Sequence, residues 1–251
     1  MKWFLAEIAW LISLTVALTA IIALLLWLHA RGDPYGPGTF ILKDGHRIET
    51  NSGEQTRKAI HEQAGHIKSS RFALSGALSY RSMMLASFIA LPLALASYSA
   101  LRERRKLAGW FRATPRAVLL GAAGGAVLMT AGFGYEVLLS AAGVDSPDVP
   151  KLLKEAMPWP LLVAVGGFLA PLGEEMYFRG RLLDALAEKL GPFLASGISA
   201  IAFGLLHGIP VLLPVYFLFG LLLVALRRLS GGLLAPILAH MINNVLGLLL
   251  S

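Results

Sequence analysis

The chain contains no cysteine, which excludes disulfide staples, thiolate metal sites and a cysteine nucleophile. Charge is scarce as well. Asp, Glu, Lys and Arg supply 15% of the 251 residues, against roughly 25% in an average soluble domain. Acidic residues are the rarer sign, 15 against 22 Lys plus Arg, for a formal charge of +7. In a soluble protein that balance would suggest nucleic acid. Here the basic residues fall between long apolar blocks, where they act as topology signals, so no nucleic-acid partner is expected. Polar sequence is also nearly absent, with one long stretch between Arg31 and about Arg81.

What fills the chain instead is apolar sequence. Hydrophobic residues make up 56% and come in runs matching the ~20 residues that cross a bilayer core as a helix. That surplus is too large for one globular core. The expected fold class is all-α: a polytopic transmembrane helical bundle of about seven spans, solvated by lipid, with one polar extramembrane insert.

Residues 1–30 hold the first block, Trp3 to Leu28, too long for the apolar region of a cleaved signal and read as a retained helix with Glu7 at its interface. Residues 31–82 form the polar insert. It opens with the breakers Gly32-Asp33-Pro34-Tyr35-Gly36-Pro37-Gly38. Thr39 to Leu42 and His46 to Glu49 then flank Lys43-Asp44-Gly45 as a small hairpin. Thr56 to Ser70 reads as a short polar helix, in which His61, Glu62 and His66 lack the spacing that sets two metal ligands on one face.

Residues 83–142 carry the second and third spans, Met83 to Leu101 and Ala117 to Ala142, joined by Arg102-Glu103-Arg104-Arg105-Lys106 with Arg112 and Arg116 behind. That junction and a second at Arg227-Arg228 should face the cytoplasm, which puts the N-terminus inside. Gly121-Ala122-Ala123-Gly124-Gly125 suits close helix packing. Val144 to Pro158 reads as a loop. Within residues 159–250, a helical pattern from Trp159 to Leu190 is interrupted at Gly166-Gly167 and Pro171 and ends at Gly191-Pro192. Blocks from Phe193 to His207, Val211 to Leu226 and Leu233 to Leu250 follow.

The anomaly is Pro171-Leu172-Gly173-Glu174-Glu175-Met176-Tyr177-Phe178-Arg179. An ionisable group at the centre of a spanning helix costs roughly 2.5–3.5 kcal/mol on insertion scales. Glu175 and Arg179 are four apart and can pair on one face, which leaves Glu174 free to meet another helix. A blander reading makes Glu174-Glu175 a cytoplasmic helix end, continued by Arg179, Arg181, Asp184, Glu188 and Lys189 on an amphipathic surface.

His207 and His240 weigh against it. Glu174 precedes the Gly191-Pro192 turn by nearly as many residues as His207 follows it, so an antiparallel hairpin brings the two to similar depth. His240 and Asn244 lie one helical turn apart and can face one cavity. An apolar surround makes a carboxylate a stronger base toward water. A neighbouring histidine can share that water, while a second histidine and an amide offer N–H donors to an oxyanion. The set describes amide hydrolysis without a serine or cysteine nucleophile.

Three motifs in order, Glu174-Glu175 with Arg179, Phe203 with His207, and His240 with Asn244, resemble the EExxxR, FxxxH and HxxxN/D pattern of the CPBP family of intramembrane proteases. That family includes the CAAX prenyl endopeptidase type and bacterial Abi-like proteins. The resemblance covers residues 159–250. It implies that Glu174 and His207 activate water, that His240 and Asn244 stabilise the oxyanion, and that Glu175 and Arg179 are structural support. It further implies an endopeptidase acting on membrane-anchored or lipidated (for instance prenylated) peptides, in a bacterial cytoplasmic membrane, through a cavity open to membrane or cytoplasm. No cofactor is expected. The alternative is zinc held by Glu174, His207 and His240, although zinc sites normally use three or four ligands, often two of them a helical turn apart. A non-catalytic membrane scaffold or bacteriocin-immunity protein of the same fold is the competing function. A proton relay or transporter would predict internal repeats with broken helices in both halves, which the sequence lacks.

Overall fold

The computed structural model describes residues 9–19, 35–63, 65–74, 80–147, 149–156 and 158–250. The chain divides into two compact units, residues 1–90 and 91–251.

In the first unit, the described part of the N-terminal block is an apolar helix, α1 (Ala9–Thr19); Glu7 and the remainder of that block lie outside the described residues, as do Gly32, Asp33 and Pro34. The hairpin expected in the insert forms from β1 (Tyr35–Leu42) and β2 (Arg47–Thr50), with Phe40 opposite Ile48. The turn between them places Gly45 at φ 90°, a left-handed conformation that costs glycine little. The polar helix is α2 (Gly53–Gln63), shorter than the sequence suggested. Residues that were expected to continue it enter a third strand instead, β3 (Ile67–Leu74), antiparallel to the free edge of β1, giving the order β2-β1-β3. Gly65 breaks the helical run, and pairing with β1, Phe40 opposite Ser70 and Thr39 opposite Arg71, takes up the residues beyond it. The unit's core holds Phe40, Leu42, Thr50 and Thr56. The Thr50 hydroxyl pairs with that of Thr56 and also meets the backbone of Gly38, so these buried hydroxyls are satisfied.

Helix α3 (Tyr80–Arg102) runs from the first unit into the second. A short helix, α4 (Leu107–Trp110), follows the basic junction. Helix α5 (Pro115–Ala141) begins with Thr114 as N-cap, accepting from Ala117 N at 3.1 Å, and Pro115 in its first turn, the expected start signals. The segment read as a loop contains a helix, α6 (Val149–Ala156). Pro150 fits a helical first turn.

From Trp159 the helical run is continuous to Leu206. It comprises α7 (Trp159–Leu162), a π-helical segment (Val163–Leu169), α8 (Ala170–Glu175), a second π-helical segment (Met176–Leu182) and α9 (Leu183–Leu206). The interruptions expected at Gly166-Gly167 and Pro171 are therefore widened turns rather than breaks, a common way for a helix to absorb a proline. The true reversal is at Gly191, φ 76°. There the chain folds back, so that the Ser199 hydroxyl donates to the Phe178 carbonyl at 2.8 Å and the rings of Phe178 and Phe203 meet edge to face at 5.7 Å. The two rings straddle Gly191 almost symmetrically, as a helical hairpin requires. Helices α10 (Leu213–Ser230) and α11 (Leu234–Leu250) follow. Arg227 and Arg228 stand in the last turn of α10, where cations complement the helix dipole.

Helix α11 packs on α5 through the expected glycines. A β-carbon at Gly121 would lie 2.8 Å from Leu238 Cβ, and one at Gly125 2.7 Å from Ile242 Cγ2. Among the described residues, three helical runs are long and apolar enough to cross a membrane: Pro115–Ala141, Trp159–Leu206 (folded at Gly191) and Pro210–Ser230. Ala9–Thr19, Phe88–Arg102 and Leu234–Leu250 are shorter apolar helices. The chain is an all-α membrane protein with a polar insert.

Candidate active site

Three contacts position the acidic pair. Behind α8, the backbone carbonyl of Pro92 presses so closely on Gly173 that no β-carbon fits there. Below it, the indole of Trp110 fills the notch at Gly180, 2.7 Å from where a β-carbon would stand, and packs with Met176, Leu233 and Ile237. In front, Glu175 and Arg179 pair at 2.8 Å although the helix switches from α to π geometry between them, and neither side chain is exposed.

The guanidinium of Arg179 also lies 4.2 Å from the centroid of Phe203 and donates to the Gly220 carbonyl at 3.4 Å. Gly220 comes this close because α10 crosses α9 at Ala200, where a β-carbon on Gly220 would lie only 2.7 Å from Ala200 Cα. Arg179 is thus held by a carboxylate, a carbonyl and a ring face, which is how a membrane interior accommodates a cation.

Glu175 has a second partner. Its Oε1 is 2.9 Å from Nδ1 of His240, a buried residue on α11. A carboxylate accepts only, so Nδ1 carries the proton and Nε2 is the free ring nitrogen. That Nε2 stands 4.0 Å from Oε2 of Glu174. Glu174 Oε2 is itself buried and has no hydrogen-bond partner among the described residues.

His207 is the C-cap of α9. Its Nδ1 meets the Phe203 carbonyl at 2.9 Å, which fixes the same tautomer and again leaves Nε2 free. His207 and His240 flank one ring, their centroids 4.9 and 5.6 Å from that of Phe203. Glu174 and His207 make no direct bond.

Asn244 reaches the site by a route the sequence does not advertise. In the π segment, Ala170 N donates to Val165 O. Continuing that register, the partner of Gly166 O would be the nitrogen of Pro171, which has no hydrogen. Asn244 Nδ2 donates to this orphaned carbonyl at 2.9 Å, and Asn243 Nδ2 donates to Asn244 Oδ1 at 3.2 Å. The amide is therefore oriented, with one N–H unspent.

All six residues singled out from the sequence lie on the walls around Phe203 or on the helices that carry those walls. Glu174, Glu175, Arg179 and His240 form one bonded or near-bonded cluster; His207 joins it through the Phe203 ring and Asn244 through Gly166. Sequence reasoning missed Gly166, Asn243 and Tyr216, whose ring stacks on His207 at 4.2 Å. A lone tyrosine in an apolar block, on the helix after His207, is the signal that could have pointed to it.

Comparison with known proteins bears on this half of the chain. Residues 156–246 match the model of the type II CAAX prenyl endopeptidase Rce1-like family. Over that stretch the chain is similar to the family. It is similar to YdiL of Bacillus subtilis, 29% identical over 109 residues, and to the membrane-embedded CAAX protease MroQ of Staphylococcus aureus, 30% identical over 105 residues. An uncharacterized 24.3 kDa protein of Escherichia coli is 38% identical over 87 residues. These matches take in 43%, 39% and 32% of this chain and 45%, 42% and 40% of the respective relatives, so the chain spans less than half the length of each. No solved structure matches.

Among the described residues, no three His, Cys, Asp or Glu groups lie together as a metal-holding cluster. Nδ1 of His240 and of His207 is hydrogen-bonded, which leaves Nε2 as the free nitrogen of each ring.

Proposed function

We propose that the CPBP core is an intramembrane endopeptidase in which Glu174 takes a proton from water. The observation that carries this reading is Glu174 Oε2: buried, without a hydrogen-bond partner among the described residues, and facing His240 Nε2 at 4.0 Å. A buried carboxylate oxygen left unpaired in a protein core is costly, and water is the partner that would satisfy it.

In the step proposed, water bound at Glu174 also meets Nε2 of His207. Its proton passes to Glu174 as its oxygen adds to the scissile carbonyl. The resulting oxyanion accepts from the unspent N–H of Asn244 and from His240 when Nε2 is protonated. The C–N bond breaks as the amine nitrogen receives the proton that Glu174 took, releasing acid and amine. Glu175 and Arg179 hold His240 and make no contact with substrate. The substrate is a membrane-anchored or lipidated peptide, prenylated chains included. The working location is a bacterial cytoplasmic membrane with the N-terminus inside, supported by the basic junctions at Arg102 to Lys106 and Arg227-Arg228.

The test compares peptide termini in membrane fractions from cells making the native chain or Glu174→Gln. New ends that appear only with the native chain, at equal expression, support proteolysis and reveal the substrate class. Identical termini shift the reading to a non-catalytic scaffold or immunity protein of this fold.

A further inference from the structure

His207 ends its helix and is followed by Gly208 at φ 66°, so little backbone beyond it restrains the side chain. Three contacts hold the imidazole. Two come from Phe203, one turn earlier on the same helix: the carbonyl at Nδ1, and the ring, edge-on at 4.9 Å and 69°. Both move with α9 and cannot fix His207 relative to the rest of the site. The third contact comes from elsewhere. Tyr216 on α10 lies against the imidazole with centroids 4.2 Å apart and planes 30° from parallel.

Tyr216 is well placed to act as a fixed wall. Phe219, three residues on, meets it edge to face at 6.3 Å. Gly204 lets the two helices approach, a β-carbon there falling 3.5 Å from Tyr216 Cβ and 2.8 Å from Leu213 Cδ1. Beyond α10, the loop after His207 is tied to α5, since the Tyr135 hydroxyl donates to the Val211 carbonyl at 2.8 Å. The Tyr216 hydroxyl itself makes no hydrogen bond among the described residues. The geometry therefore uses the ring and leaves the hydroxyl idle.

We infer that Tyr216 is a positioning residue for His207, its ring rather than its hydroxyl setting the plane in which Nε2 points at the reacting water. The inference rests on the reading of His207 given above and adds to it an external brace from the neighbouring helix.

The experiment compares the native chain with Tyr216→Phe and Tyr216→Leu in purified, full-length protein. The first readout is NMR of selectively labelled histidine, with the His207 signal identified by its loss in His207→Ala. The stacked ring should displace the His207 Cε1–H resonance in the native chain and in Tyr216→Phe, and the displacement should vanish in Tyr216→Leu. The second readout is turnover of the substrate found by terminus mapping. Tyr216→Phe should stay within about threefold of the native kcat, while Tyr216→Leu should fall roughly 30-fold with KM little changed, as misplacement of a reacting group demands. The pH profile of kcat should change shape in Tyr216→Leu alone. A native His207 resonance in Tyr216→Leu overturns the inference, and so does a loss in Tyr216→Phe as deep as that in Tyr216→Leu. Should Tyr216→Leu fail to fold, Tyr216→Met replaces it. The NMR readout needs no proteolysis, so failure of the protease reading and failure of the brace are told apart.

Discussion

Oε1 of Glu175 receives two donors at once, Nη1 of Arg179 at 2.8 Å and Nδ1 of His240 at 2.9 Å. One carboxylate oxygen therefore both neutralises a fully buried guanidinium and sets the tautomer of the histidine that faces Glu174. Glu175→Gln should remove the countercharge and cost about 3–5 kcal/mol, the range for breaking a buried pair by deleting one partner. Thermal unfolding in detergent measures it. A stability loss below ~1 kcal/mol would mean that Arg179 finds its compensation at Phe203 and Gly220 alone.

Asn244→Ala should leave the protein folded, since the lost bond to Gly166 is worth about 1 kcal/mol net. It should lower kcat by about 10²–10³ if the free N–H meets the oxyanion. Steady-state kinetics separate the outcomes. A raised KM with unchanged kcat would make Asn244 a ground-state binding group instead.

Gly173→Ala is expected to be worse than its size suggests. The added methyl would collide with the Pro92 backbone, which cannot rotate away as a side chain can. Overpacking of this kind costs typically 1–3 kcal/mol. It should also push the segment bearing Glu174 off its position, so activity should fall further than stability. Equal and small effects on both would show that α3 yields.

Lys106 supplies the pH prediction. Burial alone would lower its pKa, but its bonds to Glu103 at 3.1 Å and Asp184 at 3.2 Å outweigh burial and hold it above the usual 10.5. A cation whose folded pKa is raised stabilises the fold below its unfolded pKa and loses that contribution as pH climbs through the folded value. Melting temperature should therefore decline on the alkaline side of 10.5, and less steeply in Lys106→Met. The side chain is 45% exposed, so the difference should be small and should shrink in high salt. Equal alkaline slopes in the two proteins would remove Lys106 from the account.

Much of this was legible in the sequence because membranes make polar residues conspicuous. Glu174, Glu175, Arg179, His207, His240 and Asn244 stand out against apolar blocks, and the Gly191-Pro192 turn allowed depths to be matched across a hairpin. What stayed hidden depends on register rather than composition. Nothing in Gly166 announces a spare carbonyl. The spare exists only because a π turn directs that carbonyl to Pro171, whose nitrogen has no hydrogen. Strand β3 stayed hidden for the converse reason: its residues carry a weak pattern, and only pairing with β1 decides between helix and strand. Helix α6 was obscured by two nearby prolines, Pro147 before it and Pro150, which serves as a helix start.

The second partner of Glu175 has a consequence for biogenesis. His240 belongs to α11, which leaves the ribosome long after α8. Until then, Glu174 has no imidazole opposite it, and Glu175 holds Arg179 with one of its two contacts missing. Under the mechanism proposed above, an incompletely synthesised chain is therefore an inert one, unable to act on its neighbours in the translocon before its own synthesis has passed Asn244.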